Sequence, residues 1–189
     1  MKNRGFVLIF IGCLFIVMSF AMIFYNNYEN QNAGIKSKEV YNKIEESIKQ
    51  ISNSSENYRM KTVNINGYDY IGTIKIPSLS LELPIMSDWD YDKMKISPCR
   101  YYGSVFTNDL VICAHAYKSL FGKLKQININ DIVILTDMNN NEYYYEVKVI
   151  EVLSPRNVKE MIESDFDLTL YTCTSDNLNR LTIRLNRVY

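Results

Sequence analysis

Histidine is nearly absent from this 189-residue chain, which holds one, His115. Cysteine is scarce as well, with four, and no two of them form a C-x-x-C pair. That combination argues against a Cys-His metal site, so neither a metal nor any other cofactor is expected. Cys13 falls inside an apolar leader, which leaves Cys99, Cys113 and Cys173 for the rest of the chain. Three cysteines do not make a disulfide scaffold, and an odd number leaves at least one thiol unpaired or bridged to another chain. An excess of one charge is also missing. Lys2 and Arg4 are the only charged residues among the first 25; beyond them lie 19 basic and 21 acidic residues, a net of −2. No basic footprint for nucleic acid exists on such a chain. Internal repeats are lacking too.

Long apolar runs number one. Residues 6–25, "FVLIFIGCLFIVMSFAMIFY", carry no charge, and twenty helical residues cross about 30 Å of hydrocarbon. Lys2 and Arg4 precede the run, while Asn26, Asn27 and Glu29 follow it. This asymmetry predicts a cytoplasmic N-terminus over 1–5, a single-pass anchor in the cell membrane over 6–25, and an extracellular remainder. The run exceeds the apolar core of a signal peptide and ends without a small-x-small cleavage site, which favours an uncleaved anchor. Residues 26–67 read as a helical stalk and linker. Ile35, Val40, Ile44, Ile48 and Ile51 recur at helical spacing, the mark of an amphipathic helix that acts as a stalk or as a brace on the domain. Residues 52–66 are polar and rich in Ser and Asn, so they form the linker. The folded domain is expected over 68–189.

That domain reads as mostly β. "YIGTIKIP", "LELPI", "SVF", "DLVICAH", "DIVILT", "EYYYEVKVIEVL", "DLTLYTC" and "RLTIRLNRVY" are about eight short strand runs, with one short helix over 118–127. Strands at this density predict an antiparallel-rich barrel or sandwich. Tyr143, Tyr144 and Tyr145 alternate faces along a strand and cannot line one pocket.

His115 ends the strand "DLVICAH", sharing a face with Val111 and Cys113. Near the other end of the domain, "LTLYTC" stops at Cys173, and "RLTIRL" opens at Arg180 after the polar loop "TSDNLN". Thr169, Tyr171 and Cys173 share one face of the first strand; Arg180, Thr182 and Arg184 share the polar face of the second. A guanidinium beside Cys173 would lower the thiol's pKa or stabilise an oxyanion. Arg180, at the head of its strand, is the better placed of the two arginines; Arg184 is expected on the surface farther down. Cys113 reads as a buried small hydrophobe, and Cys99 as a loop residue.

Taken together, the apolar leader, the β-rich domain, His115 after "LVICA", Thr169-Leu170-Tyr171-Thr172-Cys173 and the following arginine resemble the sortase family of Gram-positive bacteria, whose hallmark is T-L-x-T-C. The similarity runs from about residue 70 to 189. It implies an eight-stranded β-barrel and a cysteine transpeptidase (a thiol protease by chemistry) acting on a C-terminal Leu-Pro-x-Thr-Gly-like sorting signal. Cys173 would form the thioester, His115 would act as acid and base, and Arg180 would hold the oxyanion. Thr172 and Thr182 are candidate substrate-binding residues, and residues 154–167 are expected to border the substrate groove. The implied partners are surface proteins bearing the signal and a peptidoglycan-precursor amine in the cell wall. The family reads G-H-N or G-H-R around its histidine where this chain reads "AHA", which keeps open an inactive, membrane-tethered binding module. No lid with a D-P-aromatic motif precedes the barrel and no second span follows it, which argues against a pilin-polymerising sortase. The leading helix is similar to that of class B, but the segment before "DLTLYTC" is too short for the class B insertion, so class D is the nearest. Papain-like enzymes place cysteine before histidine, and L,D-transpeptidases need an S-H-G-C-like cluster; neither pattern fits.

Overall fold

A computed structural model describes residues 3–51 and 60–188. The chain divides into two compact units, one up to Asn32 and one from Ala33 onward. The first unit is the leading part of α1 (Asn3–Ile51). Between residues 9 and 25 its side chains are exposed all round, as on a helix whose whole circumference suits lipid. By length and composition this stretch qualifies as a membrane span. Residues 1 and 2 and linker residues 52–59 lie outside the described residues.

In the second unit, α1 buries Ala33, Ser37, Val40 and Ile44 on one face. Ile35, expected on that face, is exposed. The small residues explain the rotation: a Cβ on Gly34 would sit 3.0 Å from the Ser119 Cβ, so the helix approaches the barrel more closely than isoleucine would allow. This part of α1 is a brace on the domain. The side chains of Ile48 and Ile51 lie outside the described ones.

Among the described residues nine strands form one sheet: β1 (Val63–Ile65), β2 (Tyr68–Ile76), β3 (Leu81–Met86), β4 (Cys99–Tyr102), β5 (Leu110–Cys113), β6 (Ile132–Asp137), β7 (Glu142–Leu153), β8 (Leu168–Cys173) and β9 (Arg180–Arg187). Their order is β1-β2-β3-β4-β5-β8-β9-β7-β6, and an additional β2–β6 pairing closes β2 to β9 into an eight-stranded barrel. β1, on expected linker residues, extends the edge of β2. At the closing seam Gly72 has φ +148°, and a Cβ there would lie 2.1 Å from the Thr136 carbonyl oxygen, so only glycine fits. Pairing is antiparallel except for β3–β4 and β5–β8.

Alternation along β5, β8 and β9 sorts the side chains. Leu110, Ile112, Ala114, Leu168, Leu170, Ile183 and Leu185 join the main core, while Val111, Cys113 and Tyr171 join a second cluster on the opposite face. Three local expectations change. Residues 104–106 form a turn rather than a strand. Cys99 opens β4 in register with Cys113 instead of sitting in a loop. The helix expected over 118–127 is a 3-10 helix, Phe121–Gln126.

Candidate active site

β8 and β9 are consecutive antiparallel strands, and their register sets Cys173 directly opposite Arg180. The intervening turn is tight: the Thr174 N–H donates to the Asn179 carbonyl at 3.0 Å, the Asn179 N–H to the Thr174 hydroxyl at 3.1 Å, and the Thr174 hydroxyl to the Asp176 carboxylate. β5 runs parallel to β8 with Cys113 beside Tyr171. Beyond that pair the Ala114 N–H donates to the Tyr171 carbonyl at 3.3 Å, and the Thr172 hydroxyl to the Ala114 carbonyl at 2.8 Å. His115 therefore leaves β5 alongside the end of β8, where its N–H donates to the Met94 carbonyl at 3.1 Å.

Cys173, His115 and Arg180 share a cleft of about 430 Å³. One wall comes from the segment before β4, with Trp89, Tyr91 and Met94; the other comes from Ser154, Pro155, Asn157, Val158 and Met161, within the segment expected to border the groove. The second wall includes α2 (Val158–Ile162). An aromatic chain descends from the rim to the floor: Trp89 packs 5.4 Å from Tyr101, and Tyr101 lies edge-on to Tyr171 at 5.5 Å. The first wall is braced at its base, because Arg100 Nε donates to the Ser87 carbonyl at 2.8 Å and the Ser97 hydroxyl to the Pro84 carbonyl at 2.7 Å.

The cysteines divide by environment. Cys173 is half-buried at the cleft floor, whereas Cys99 and Cys113 are fully buried. Burial pushes both of the latter thiols up to about 12, which keeps them protonated and inert at neutral pH. Arg180 is half-buried, and among the described residues the one hydrogen bond of its side chain runs from Nη1 to the Asn179 carbonyl at 3.2 Å. The guanidinium thus keeps donors for a ligand in the cleft.

The two threonines expected to bind substrate differ in their placement. Thr172 lines the cleft, 2 % exposed and with its hydroxyl donated to the Ala114 carbonyl. Thr182 is fully buried, donates to the Arg180 carbonyl at 3.3 Å, and does not line the cleft. Arg184 is not a surface residue. It is 3 % exposed and binds Glu151, Thr169 and the carbonyls of Glu160 and Met161, which ties α2 to the barrel. Trp89 and Tyr91 went unmarked in the sequence; their one signal is a pair of aromatics spaced i, i+2 among Asp88, Asp90 and Asp92.

Comparison with known proteins meets this geometry. The family model of the sortase domain matches residues 74–188. Among solved structures, the chain is similar to a sortase D5 transpeptidase from Clostridium perfringens, with TM-score 0.60 and 17 % identity over 84 % of this chain and 99 % of that one. A C. perfringens sortase C, solved with the C-terminal cell wall sorting motif, gives TM-score 0.57 and 25 % identity over 80 % of this chain and 90 % of that one. Sortase A from Corynebacterium diphtheriae gives TM-score 0.57 and 22 % identity over 87 % and 93 %. No curated protein matches by sequence.

Proposed function

The chain belongs to the sortase family, and from that premise we propose that its barrel is a membrane-tethered cysteine transpeptidase with Cys173 as nucleophile. The observation that carries the reading is the meeting of Cys173, His115 and Arg180 in one cleft. The Cys173 thiolate adds to a peptide carbonyl, and the oxyanion accepts hydrogen bonds from the Arg180 fork. Collapse breaks the C–N bond, with His115 passing its proton to the departing amine and leaving a thioester on Cys173. An incoming amine then gives a proton to His115 as it attacks, and a new amide forms while the thiolate is released. The balance is one amide exchanged for another.

The substrate we propose is a C-terminal sorting signal resembling Leu-Pro-x-Thr-Gly, a reading supported by the sorting motif with which the C. perfringens sortase C was solved. The acceptor is an amine of a cell-wall precursor, and the apolar part of α1 tethers the enzyme with its barrel outside the membrane. Surface-protein attachment follows from that arrangement. Relatives of classes A, C and D match with TM-scores of 0.57, 0.57 and 0.60, so the fold does not choose among classes.

The test is incubation of the protein with a library of sorting-signal peptides, with and without an amine. A thioester adduct on Cys173, seen by intact mass and chased by amine into a peptide product, is the expected result. A reactive Cys173 that forms no adduct with any peptide would overturn the reading.

A further inference from the structure

The role proposed for His115 leaves open what holds its ring, and two tyrosines flank it. The Tyr117 ring is stacked on the imidazole, with centroids 4.4 Å apart and planes 20° apart. Tyr91 stands nearly perpendicular, at 6.2 Å and 69°. Tyr117 rests on a fixed platform. Its carbonyl accepts from the N–H groups of Leu120 and Gly122, each at 2.9 Å, and its side chain packs partly buried against the main core. The turn is closely packed: a Cβ on Gly122 would lie 2.6 Å from that carbonyl oxygen, so a side chain there has no room. Just beyond it, Leu120, Phe121 and Leu124 are fully buried. Tyr117 does not line the cleft, so any effect on chemistry passes through His115.

We propose, on the basis of the acid–base role assigned to His115 above, that Tyr117 is its positioning residue: the ring face fixes the imidazole plane and stabilises its protonated form. An aromatic face carries negative electrostatic potential and attracts a cation within about 6 Å of its centroid. Tyr91 contributes less, since it meets the imidazole edge-on at 6.2 Å and the Lys95 ammonium sits 4.7 Å from its ring. The titratable and charged groups on the elements around His115 include Tyr91, Lys95 and Asp92 before β4, Cys173 on β8 and Arg180 on β9, with Tyr117 stacked on the ring and Cys113 and Lys118 close in sequence. Lys95 and Arg180 oppose a charged imidazole. Tyr117 offers it a stacked face at contact distance.

His115 is the single histidine, so its imidazole C–H resonances report one titration in the detergent-solubilised full chain. Tyr117→Phe keeps the face and should leave both the titration midpoint and turnover near wild type. Tyr117→Leu should lower the midpoint by about half a pH unit, the scale of one partly exposed cation–π contact, and move the matching limb of the pH–rate profile with it. Phenylalanines of increasing fluorination at position 117 keep the shape and drain the face, so the midpoint should fall with each added fluorine even if the leucine variant does not fold. An unchanged midpoint across the fluorinated series, or Tyr117→Phe titrating like Tyr117→Leu, overturns the proposal. If the midpoints move as expected but His115→Ala keeps full turnover, the stacking stands and the acid–base role of His115 fails.

Discussion

Replacing Arg184 by alanine should cost the barrel more than any change at the cleft itself. The guanidinium donates from Nε to Glu151 at 2.8 Å, from Nη1 to the Thr169 hydroxyl at 3.0 Å and the Met161 carbonyl at 3.2 Å, and from Nη2 to the Glu160 carbonyl at 2.7 Å. Its side chain is 4 % exposed, whereas that of Glu151 is 36 % exposed. Glu151 would therefore regain water, and the stranded groups are the Thr169 hydroxyl and the two carbonyls of α2. Each unsatisfied buried group costs about 1–3 kcal/mol, and since the three share one partner the losses do not simply add. The whole should fall at about 3–5 kcal/mol, the range for breaking a buried pair. For a domain of this size that lowers the melting midpoint by about 10–20 °C. Arg184→Lys should rescue little, because a point charge cannot serve four acceptors laid out for a planar fork. Arg180→Ala is the control. It should melt close to wild type, while turnover falls by about 10²–10³, the scale of one oxyanion donor. Circular-dichroism melts read the first effect and peptide transfer well below the midpoint reads the second. Arg184→Ala melting within a few degrees of wild type would refute the clamp, and early melting of Arg180→Ala would refute the division of labour.

Cys173→Ala should abolish the thioester adduct outright by intact-mass analysis, since no other thiol lies at the cleft floor. Iodoacetamide at pH 8 should label Cys173 in a Cys13→Ser background and spare Cys99 and Cys113 until the chain is unfolded; labelling of either in the native protein would contradict their burial. Those two thiols, with a reference value of 9.0, titrate near 12 in the fold. The folded state thus holds their protons longer, and the stability they contribute below pH 9 should be lost as pH rises toward 12. Cys113→Ala should flatten that alkaline fall in the melting midpoint. Gly72→Ala should open the β2–β6 seam, read as a large drop in melting midpoint, because its Cβ has nowhere to go beside the Thr136 carbonyl.

Much of the barrel could be read from strand periodicity, because alternation is a local property. The same parity put Cys173 and Arg180 on one face, and a six-residue turn left them little choice but to meet. Parity also set Thr172 on the face of Leu170, and so pointed inward; the contact with Ala114 is long-range and was invisible. Arg184 shows the limit clearly. Its face is legible, but that residues 160 and 161 fold back to cover that face depends on tertiary packing. Cys99 was hidden in β4 because the Pro98 and Gly103 around it signal a loop. Trp89 and Tyr91 stay exposed on their Asp-rich segment and yet line the cleft, a placement that no local pattern marks.

The parallel pairing of β5 with β8 has a kinetic consequence. Thr172 meets Ala114 across 58 residues of chain, and a parallel pair cannot close through a short hairpin. Long-range closures of this kind are slow, because the loop must be ordered before any contact rewards it. As the chain emerges in sequence order, His115 appears first and must wait for β8 to arrive. Until then the imidazole has no Cys173 beside it, although the short turn between β8 and β9 already suffices to set Arg180 opposite that thiol. The proposed acyl transfer switches on only with barrel closure, which makes acylation of Cys173 by a sorting peptide a clock for the last step of folding.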